Sequence, residues 1–159
     1  MPLRLAINGY GRIGRCFLRA LLESPVTHNL QVVAINEPAN LESMAYLTRY
    51  DSTHGRFPGQ VDFGYGQLLI DGRAISVSHA RSPEEVDWRA LEIDLIVESS
   101  GCYGRRPELA RFLAAGGPRL LLSHPGFSAS DVDATIVNGI NQHTLTGNER
   151  LVSAASCTT

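Results

Sequence analysis

The first candidate for ligand binding is a group of three glycines near the start of the chain. Gly9, Gly11 and Gly14 form a Gly-x-Gly-x-x-Gly pattern that follows an apolar, strand-like segment and begins a helix-like one. In that context the first glycine allows a tight turn, the second allows a pyrophosphate to approach the backbone, and the third allows the helix to pack closely on the strand. The phosphates would lie at the helix N-terminus, where free amide groups favour an anion. The alternative is a tight turn that binds no ligand.

An acidic residue, Glu37, follows the second predicted strand, roughly twenty residues after the last of these glycines. In dinucleotide-binding folds a carboxylate at this place accepts hydrogen bonds from the adenosine ribose. It would repel the additional phosphate of NADP, and the following residues 38–40 (Pro-Ala-Asn) include no arginine or lysine to bind that phosphate. The combination favours NAD as the cofactor, with a solvated loop acid as the alternative.

Two other classes of protein also combine a glycine loop with a later acid. A methyltransferase would bind the adenosine of its methyl donor in this way, but it typically has an acid ahead of the glycines, where this chain has Asn8. A non-catalytic NAD-binding redox sensor would usually carry a basic DNA-binding module. The formal net charge here is −2, with 14 basic and 16 acidic side chains. This charge indicates neither a nucleic-acid partner nor an anionic membrane surface.

A cysteine is the candidate for nucleophilic chemistry. Cys157 follows the apolar segment 151–156, at a predicted strand end of the kind where open parallel sheets bind ligands. A thiol becomes a nucleophile when a helix N-terminus or a histidine lowers its pKa. Cys16 lies on the apolar face of the first predicted helix, which favours core packing, and Cys102 follows another strand end, near the expected cofactor. Three widely spaced cysteines predict no disulfide framework and no metal site, and they favour a reducing cytoplasm.

The elements that would position these residues alternate between strands and helices. The predicted strands are 3–8, 30–35, 93–98, 119–123, 134–140 and 151–156, with a hairpin of 68–70 and 75–77 around an Asp-Gly turn. The predicted helices are 12–24, 41–50 capped by Asn40, one that starts at the capping box 82–85, and 107–115. This order predicts an α/β fold with a Rossmann-type doubly wound, mostly parallel sheet and a β-hairpin insertion.

Three longer motifs resemble the glyceraldehyde-3-phosphate dehydrogenase family. They are residues 8–15 (Asn-Gly-Tyr-Gly-Arg-Ile-Gly-Arg), 50–57 (Tyr-Asp-Ser-Thr-His-Gly-Arg-Phe) and 153–159 (Ser-Ala-Ala-Ser-Cys-Thr-Thr). The similarity extends over the whole chain in order. Within the family the chain is more similar to the erythrose-4-phosphate dehydrogenase branch, because Glu37 stands where glycolytic members usually have aspartate. Segments 102–106 and 122–126 also resemble that branch.

The resemblance implies an NAD site with assigned residues. Arg12 and Ile13 would offer backbone amides to the pyrophosphate, and Glu37 would hold the adenosine ribose. The adenine and nicotinamide sides would be lined by Arg81, Ser100, Gly101 and Ser123. Cys157 would be the nucleophile, and Ser156 and Thr158 would contact the substrate, a sugar-phosphate aldehyde.

The resemblance also implies a covalent mechanism. The thiolate of Cys157 would attack the aldehyde to give a hemithioacetal, whose carbon donates hydride to NAD. The thioester that remains would be released by water in the erythrose-phosphate branch, giving 4-phosphoerythronate, and by phosphate in the glycolytic enzymes. The predicted substrate is erythrose 4-phosphate, with glyceraldehyde 3-phosphate as the alternative.

The resemblance further implies that residues 1–159 are the NAD-binding domain of a longer enzyme. The family's cysteine motif continues past Thr159, and its general-base histidine and substrate-phosphate groups lie in a second, C-terminal domain. The five histidines here do not match that histidine: His28, His54, His79, His124 and His143. We therefore expect this chain alone to be inactive, and the complete enzyme to be a cytoplasmic homotetramer.

Overall fold

The computed structural model describes residues 1–156, and Cys157, Thr158 and Thr159 lie outside the described residues. The strands are β1 Leu3–Asn8, β2 Leu30–Asn36, β3 Tyr50–Asp51, β4 Gly55–Arg56, β5 Val61–Gly64, β6 Gln67–Ile70, β7 Arg73–Ser78, β8 Leu95–Glu98, β9 Leu120–Leu122, β10 Ala134–Thr135 and β11 Leu151–Ser153. The helices are α1 Arg12–Glu23, α2 Leu41–Arg49 and α3 Arg106–Ala114. Single turns of 3₁₀-helix lie at Pro83–Glu85, Ala129–Asp131 and Gln142–Thr144.

A nine-stranded sheet has the strand order β10-β11-β9-β8-β1-β2-β7-β6-β5. The strands from β10 to β7 pair in parallel, and β6 and β5 extend the sheet with antiparallel pairing. Its central order, β7-β2-β1-β8-β9-β11, is that of a doubly wound dinucleotide-binding sheet. The predicted fold class is therefore confirmed. The direction of winding reverses between β1 and β8, where such sheets bind their ligands.

The predicted hairpin is present and joins the main sheet. Asp71 and Gly72 both have positive φ, +49° and +76°, as a two-residue hairpin turn requires. The second hairpin strand, β7, pairs in parallel with β2, with Ala34 opposite Ser76. The hairpin strand β7 is therefore the third parallel strand in the half of the sheet formed by β1, β2 and β7.

Two predicted elements differ from the structure. The predicted helix at the capping box is wrong: Ser82 donates to the Glu85 carboxylate over 2.7 Å, and only the single turn Pro83–Glu85 forms. The chain instead turns inward because Trp88 is buried and its Nε1 donates to the Pro83 carbonyl over 2.8 Å. The predicted strand 134–140 is limited to Ala134–Thr135, because the Asn141 side chain bonds the Val137 amide and the Thr135 carbonyl.

The core lies on both faces of the sheet, as the alternation in β1 shows. Leu5 and Ile7 pack in the cluster that includes Leu18 of α1, and Ala6 packs in the cluster that includes Phe112 of α3. Because β1 is packed on both faces of the sheet, the glycine loop that follows it begins from a firmly held strand. Among residues 1–156, no helix has the length and apolar character needed to cross a membrane.

Candidate cofactor-binding site

A cleft of about 290 Å³ opens at the carboxyl ends of β1, β2 and β8, where the sheet reverses its winding. Five of the residues predicted to bind the cofactor line this cleft: Gly9, Gly11, Glu37, Arg81 and Ser100. The structure adds Asn8 and Asn36 at the ends of β1 and β2, and Cys102 and Tyr103 after β8. The topology thus brings together segments that are up to about ninety residues apart in the sequence.

Two of the three loop glycines are required by the protein itself. Gly9 has φ +88°, and a Cβ atom there would lie 2.4 Å from the backbone of Ser100. A Cβ atom on Gly14 would lie 2.2 Å from the Gly9 carbonyl oxygen. The loop therefore packs directly on the turn after β8, and α1 packs directly on the loop, without room for side chains.

Gly11 differs, because no contact with the described residues requires a glycine there. A Cβ atom on Gly11 would meet no atom of residues 1–156 within 4 Å, and its φ of −70° and ψ of −159° are accessible to other residues. The open space belongs to the cleft. A ligand that passes close to the backbone accounts for this glycine, as the sequence pattern predicts for a pyrophosphate.

The N-terminus of α1 is left available to an anion. Gly11 is its N-cap and supplies no side-chain hydrogen bond, and the first turn has no acidic residue. The first intrahelical bond of this end runs from the Arg15 amide to the Gly11 carbonyl, so the amides of Arg12 and Ile13 precede it. The Arg12 side chain turns aside to Asp51 (3.3 Å). These groups fit a pyrophosphate, whose charge the amides and the helix dipole would stabilise.

Glu37 is held in place by backbone donors. One carboxylate oxygen accepts from the Tyr10 amide over 2.6 Å and the other accepts from the Ala39 amide over 3.0 Å. Each oxygen retains capacity to accept a further hydrogen bond. A half-buried, oriented carboxylate at the end of β2 is the arrangement that fits two ribose hydroxyls. Arg81 is exposed along the same cleft.

The turn after β8 forms the opposite wall of the cleft. The Ser99 hydroxyl donates to the Gly9 carbonyl over 2.7 Å, and Gly101 has φ +75°. Ser123, at the end of β9, does not line the cleft, and its amide donates to the carbonyl of Glu98 over 3.0 Å.

In the sequence, β11 is the last strand before Cys157, the predicted nucleophile. Ser156 follows this strand and is exposed. Ala155 has φ +61°, an uncommon conformation for a residue with a side chain. The predicted roles of Cys157 and Thr158 fall outside the described residues.

The sequence analysis missed Glu98, which lies below the cleft. Its side chain is fully buried at the carboxyl end of β8 and accepts hydrogen bonds from the Asn8 side chain and from the amide and hydroxyl of Ser100. Burial raises the pKa of this carboxyl, against the opposing effect of these donors. The available signal was a glutamate at the end of an otherwise apolar strand, Leu-Ile-Val-Glu.

Comparison with known protein families supports the cofactor assignment. The family described as glyceraldehyde 3-phosphate dehydrogenase, NAD binding domain, matches residues 3–106, which is more than half of the chain. The match includes the glycine loop, Glu37, Arg81 and the turn after β8. Ser123 and the segment 156–158 lie beyond it, and the role of each individual residue, inside or outside the match, stays a prediction.

Proposed function

Because this chain belongs to the glyceraldehyde 3-phosphate dehydrogenase family, with NAD as its cofactor, we propose that it is the NAD-binding domain of an enzyme that oxidises a phosphorylated sugar aldehyde. The observation that carries the proposal is the cleft at the β1–β8 reversal, where the family match and an otherwise unexplained glycine, Gly11, coincide. A redox sensor would need only the NAD site, so the cysteine at position 157 is the sequence feature that favours an enzyme over a binding module.

Each part of the cleft has a role in holding the cofactor. The amides at the start of α1 bind the pyrophosphate, and the Glu37 carboxylate accepts hydrogen bonds from the adenosine ribose. The turn 99–103 forms the wall that faces the glycine loop. Bound NAD supplies the acceptor for a hydride. The rigid strands β1 and β8 keep these groups in one arrangement, which lowers the entropic cost of binding.

We propose Cys157 as the nucleophile of the complete enzyme. Its thiolate adds to the aldehyde carbon and forms a carbon–sulfur bond, and the former carbonyl oxygen takes up a proton. That carbon then loses hydride while its hydroxyl group gives up its proton, and the thioester that remains is cleaved by water to a carboxylate and the free thiol. A general base from a second domain would assist these proton transfers, and proton transfer by a positioned base contributes about 10²–10⁴-fold. The 159-residue chain alone is therefore proposed to bind NAD without turnover.

Erythrose 4-phosphate is the proposed substrate, and glyceraldehyde 3-phosphate is the competing one. Support comes from the resemblance of Glu37 and of segments 102–106 and 122–126 to the erythrose-phosphate branch. In the structure segment 102–106 contacts Phe127, the residue that follows segment 122–126: the Phe127 amide donates to the Gly104 carbonyl over 3.1 Å, and the guanidinium of Arg105 stacks 4.9 Å from the Phe127 ring centre. The complete enzyme is proposed to act in the cytoplasm as a homotetramer.

The proposal is tested by NADH formation in the complete enzyme that contains this domain. We expect a higher kcat/KM for erythrose 4-phosphate than for glyceraldehyde 3-phosphate with inorganic phosphate, and the opposite order would overturn the substrate assignment. Cys157→Ser should abolish aldehyde oxidation. Cys16→Ser is the matched control, since Cys16 is a half-buried free thiol on α1 outside the cleft, and it should retain activity. An active Cys157→Ser enzyme would refute the covalent mechanism.

A further inference from the structure

Glu98 is a fully buried carboxyl whose surroundings supply only hydrogen-bond donors. Among residues 1–156 no ion pair involves it. The side-chain amide of Asn8 donates to Oε2 over 2.5 Å, and the Ser100 amide donates to Oε1 over 2.8 Å. A buried charge without a cation is costly, so its hydrogen bonds must account for its presence.

Backbone amides, which can only donate, determine which atoms donate and which accept in these hydrogen bonds. The Ala80 amide donates to Asn36 Oδ1 over 3.0 Å, which fixes the orientation of the Asn36 side chain. Asn36 Nδ2 must then donate to Asn8 Oδ1, at 2.9 Å. Asn8 therefore has only its Nδ2 left to face Glu98, and Oε2 of Glu98 must accept.

The other carboxylate oxygen is constrained in the same way. The backbone amide of Ser100 can only donate to Oε1. The Cys102 amide donates to the Ser100 hydroxyl oxygen over 3.2 Å, and that hydroxyl donates its own proton to Oε1 of Glu98. Both oxygens are thus acceptors, which is the pattern of an ionised carboxylate.

We propose that the Glu98 carboxylate is a positioning residue for NAD, which locks the glycine loop to the turn after β8 on the two sides of the cofactor cleft. Asn8 leads directly into Gly9, and Ser100 is the residue on whose backbone Gly9 packs. The carboxylate bonds both, at the point where the sheet reverses. This inference rests on NAD binding in the cleft.

Protonation of Glu98 would convert one of its carboxylate oxygens from an acceptor into a donor, and this would interrupt the chain of hydrogen bonds that links Asn36, Asn8, Glu98 and Ser100. Within the described part of the chain, the charged or titratable groups that face it are His124 after β9 and Tyr103 after β8. Burial raises the pKa of Glu98, and the His124 charge opposes that effect. NAD affinity should therefore fall on acidification at a pH above that at which an exposed glutamate titrates, and this step should be absent in Glu98→Gln.

A pair of substitutions can exchange the donor and the acceptor in the hydrogen bond between positions 8 and 98, and this exchange tests the proposal. In Glu98→Gln the new side-chain amide meets donors on both sides, and in Asn8→Asp two carboxylates face each other. In the double variant, the carboxylate introduced at position 8 accepts from Asn36 and from the amide introduced at position 98, whose oxygen still accepts from Ser100. We expect each single variant to weaken NAD at least about tenfold, as loss of hydrogen bonds to a charged group would. The double variant should bind within about threefold of the original chain.

Calorimetry with NAD on the 159-residue chain provides the measurement, with Glu92→Gln as the control. Glu92 is exposed and precedes β8 at the opposite end of the strand, so its variant should bind NAD normally. Unchanged affinity in Glu98→Gln, or a double variant that binds no better than the single ones, would overturn the proposal.

Hydrogen exchange of the Ser100 amide supplies a readout that needs no NAD. It should accelerate in each single variant and be restored in the double variant, and an unchanged rate in Glu98→Gln would overturn the positioning role. Failure of the original chain to bind NAD would instead refute the cofactor site, while the exchange rates still decide the role of Glu98.

Discussion

Alanine at Gly14 would place a Cβ atom 2.2 Å from the Gly9 carbonyl oxygen, whereas alanine at Gly11 would meet no atom of the described part of the chain within 4 Å. The two substitutions should therefore separate the glycine that the fold needs from the glycine that the ligand needs. Overpacking typically costs about 1–3 kcal/mol, and the better helix propensity of alanine offsets up to about 1 kcal/mol of that cost at Gly14. Since about 1 kcal/mol shifts Tm by roughly 2–4 °C in a chain of this size, Gly14→Ala should lower Tm by several degrees.

Gly11→Ala should leave the stability almost unchanged. Alanine is a poorer N-cap than glycine, but it reduces the entropy of the unfolded chain by about 0.4–1 kcal/mol, and the two effects nearly cancel. NAD affinity should nevertheless fall about tenfold or more, because the added methyl group occupies the cleft, and Gly11→Val should abolish binding. Gly64→Ala is the matched control: Gly64 in β5 also has open space around its Cβ position and no positive φ, but it lies outside the cleft.

Calorimetry with NAD and thermal melts of the four variants make the comparison. Equal NAD affinity for Gly11→Val and the original chain would refute the placement of the pyrophosphate. A large loss of stability in Gly11→Ala would show that this glycine serves the fold after all.

Three further predictions concern the ribose, a surface ion pair and the core. Glu37→Ala should weaken NAD about tenfold or more and narrow the affinity gap to NADP, because the ribose loses a charged acceptor; an unchanged NAD/NADP ratio in calorimetry would count against it. The pKa of Glu84 is lowered to about 2, chiefly by the hydrogen bond from Arg111, so in a carboxyl NMR titration Arg111→Ala should raise that pKa towards 4.5. Stability from this pair is present above pH 4.5 and lost as pH falls towards 2, and salt should weaken it because both side chains are exposed. Phe112→Ala should destabilise the chain by about 3–5 kcal/mol in chemical denaturation, since Phe112 is fully buried against Trp88; a loss below about 1 kcal/mol would contradict that packing.

The glycine loop and the fold class were predictable because their determinants are local. A strand, three glycines and a helix form one short segment, and Asn40 caps α2 by accepting from the Ser43 amide in the first turn of that helix. The alternation of strands and helices then left few topologies that obey the handedness of parallel connections. These predictions agree with the structure because the contacts that determine them lie close together in the sequence.

The remaining features depend on contacts that sequence patterns do not contain. The capping box at Ser82 forms a bond to Glu85, yet the burial of Trp88 ends the helix after a single turn. Glu98 acquires its environment from Asn8, 90 residues away, whose orientation is set by Asn36. A buried carboxyl of this kind is recognisable only after the strand order has placed β1, β2 and β8 side by side.

A crystal structure of the 159-residue chain with NAD would show whether NAD binds in the cleft where the sheet reverses its winding. We predict the pyrophosphate beside Gly11 and the first turn of α1, with the adenosine ribose hydroxyls on the Glu37 carboxylate. The turn after β8 should form the facing wall. NAD bound at any other surface, or an empty cleft at saturating NAD, would refute NAD binding at this site.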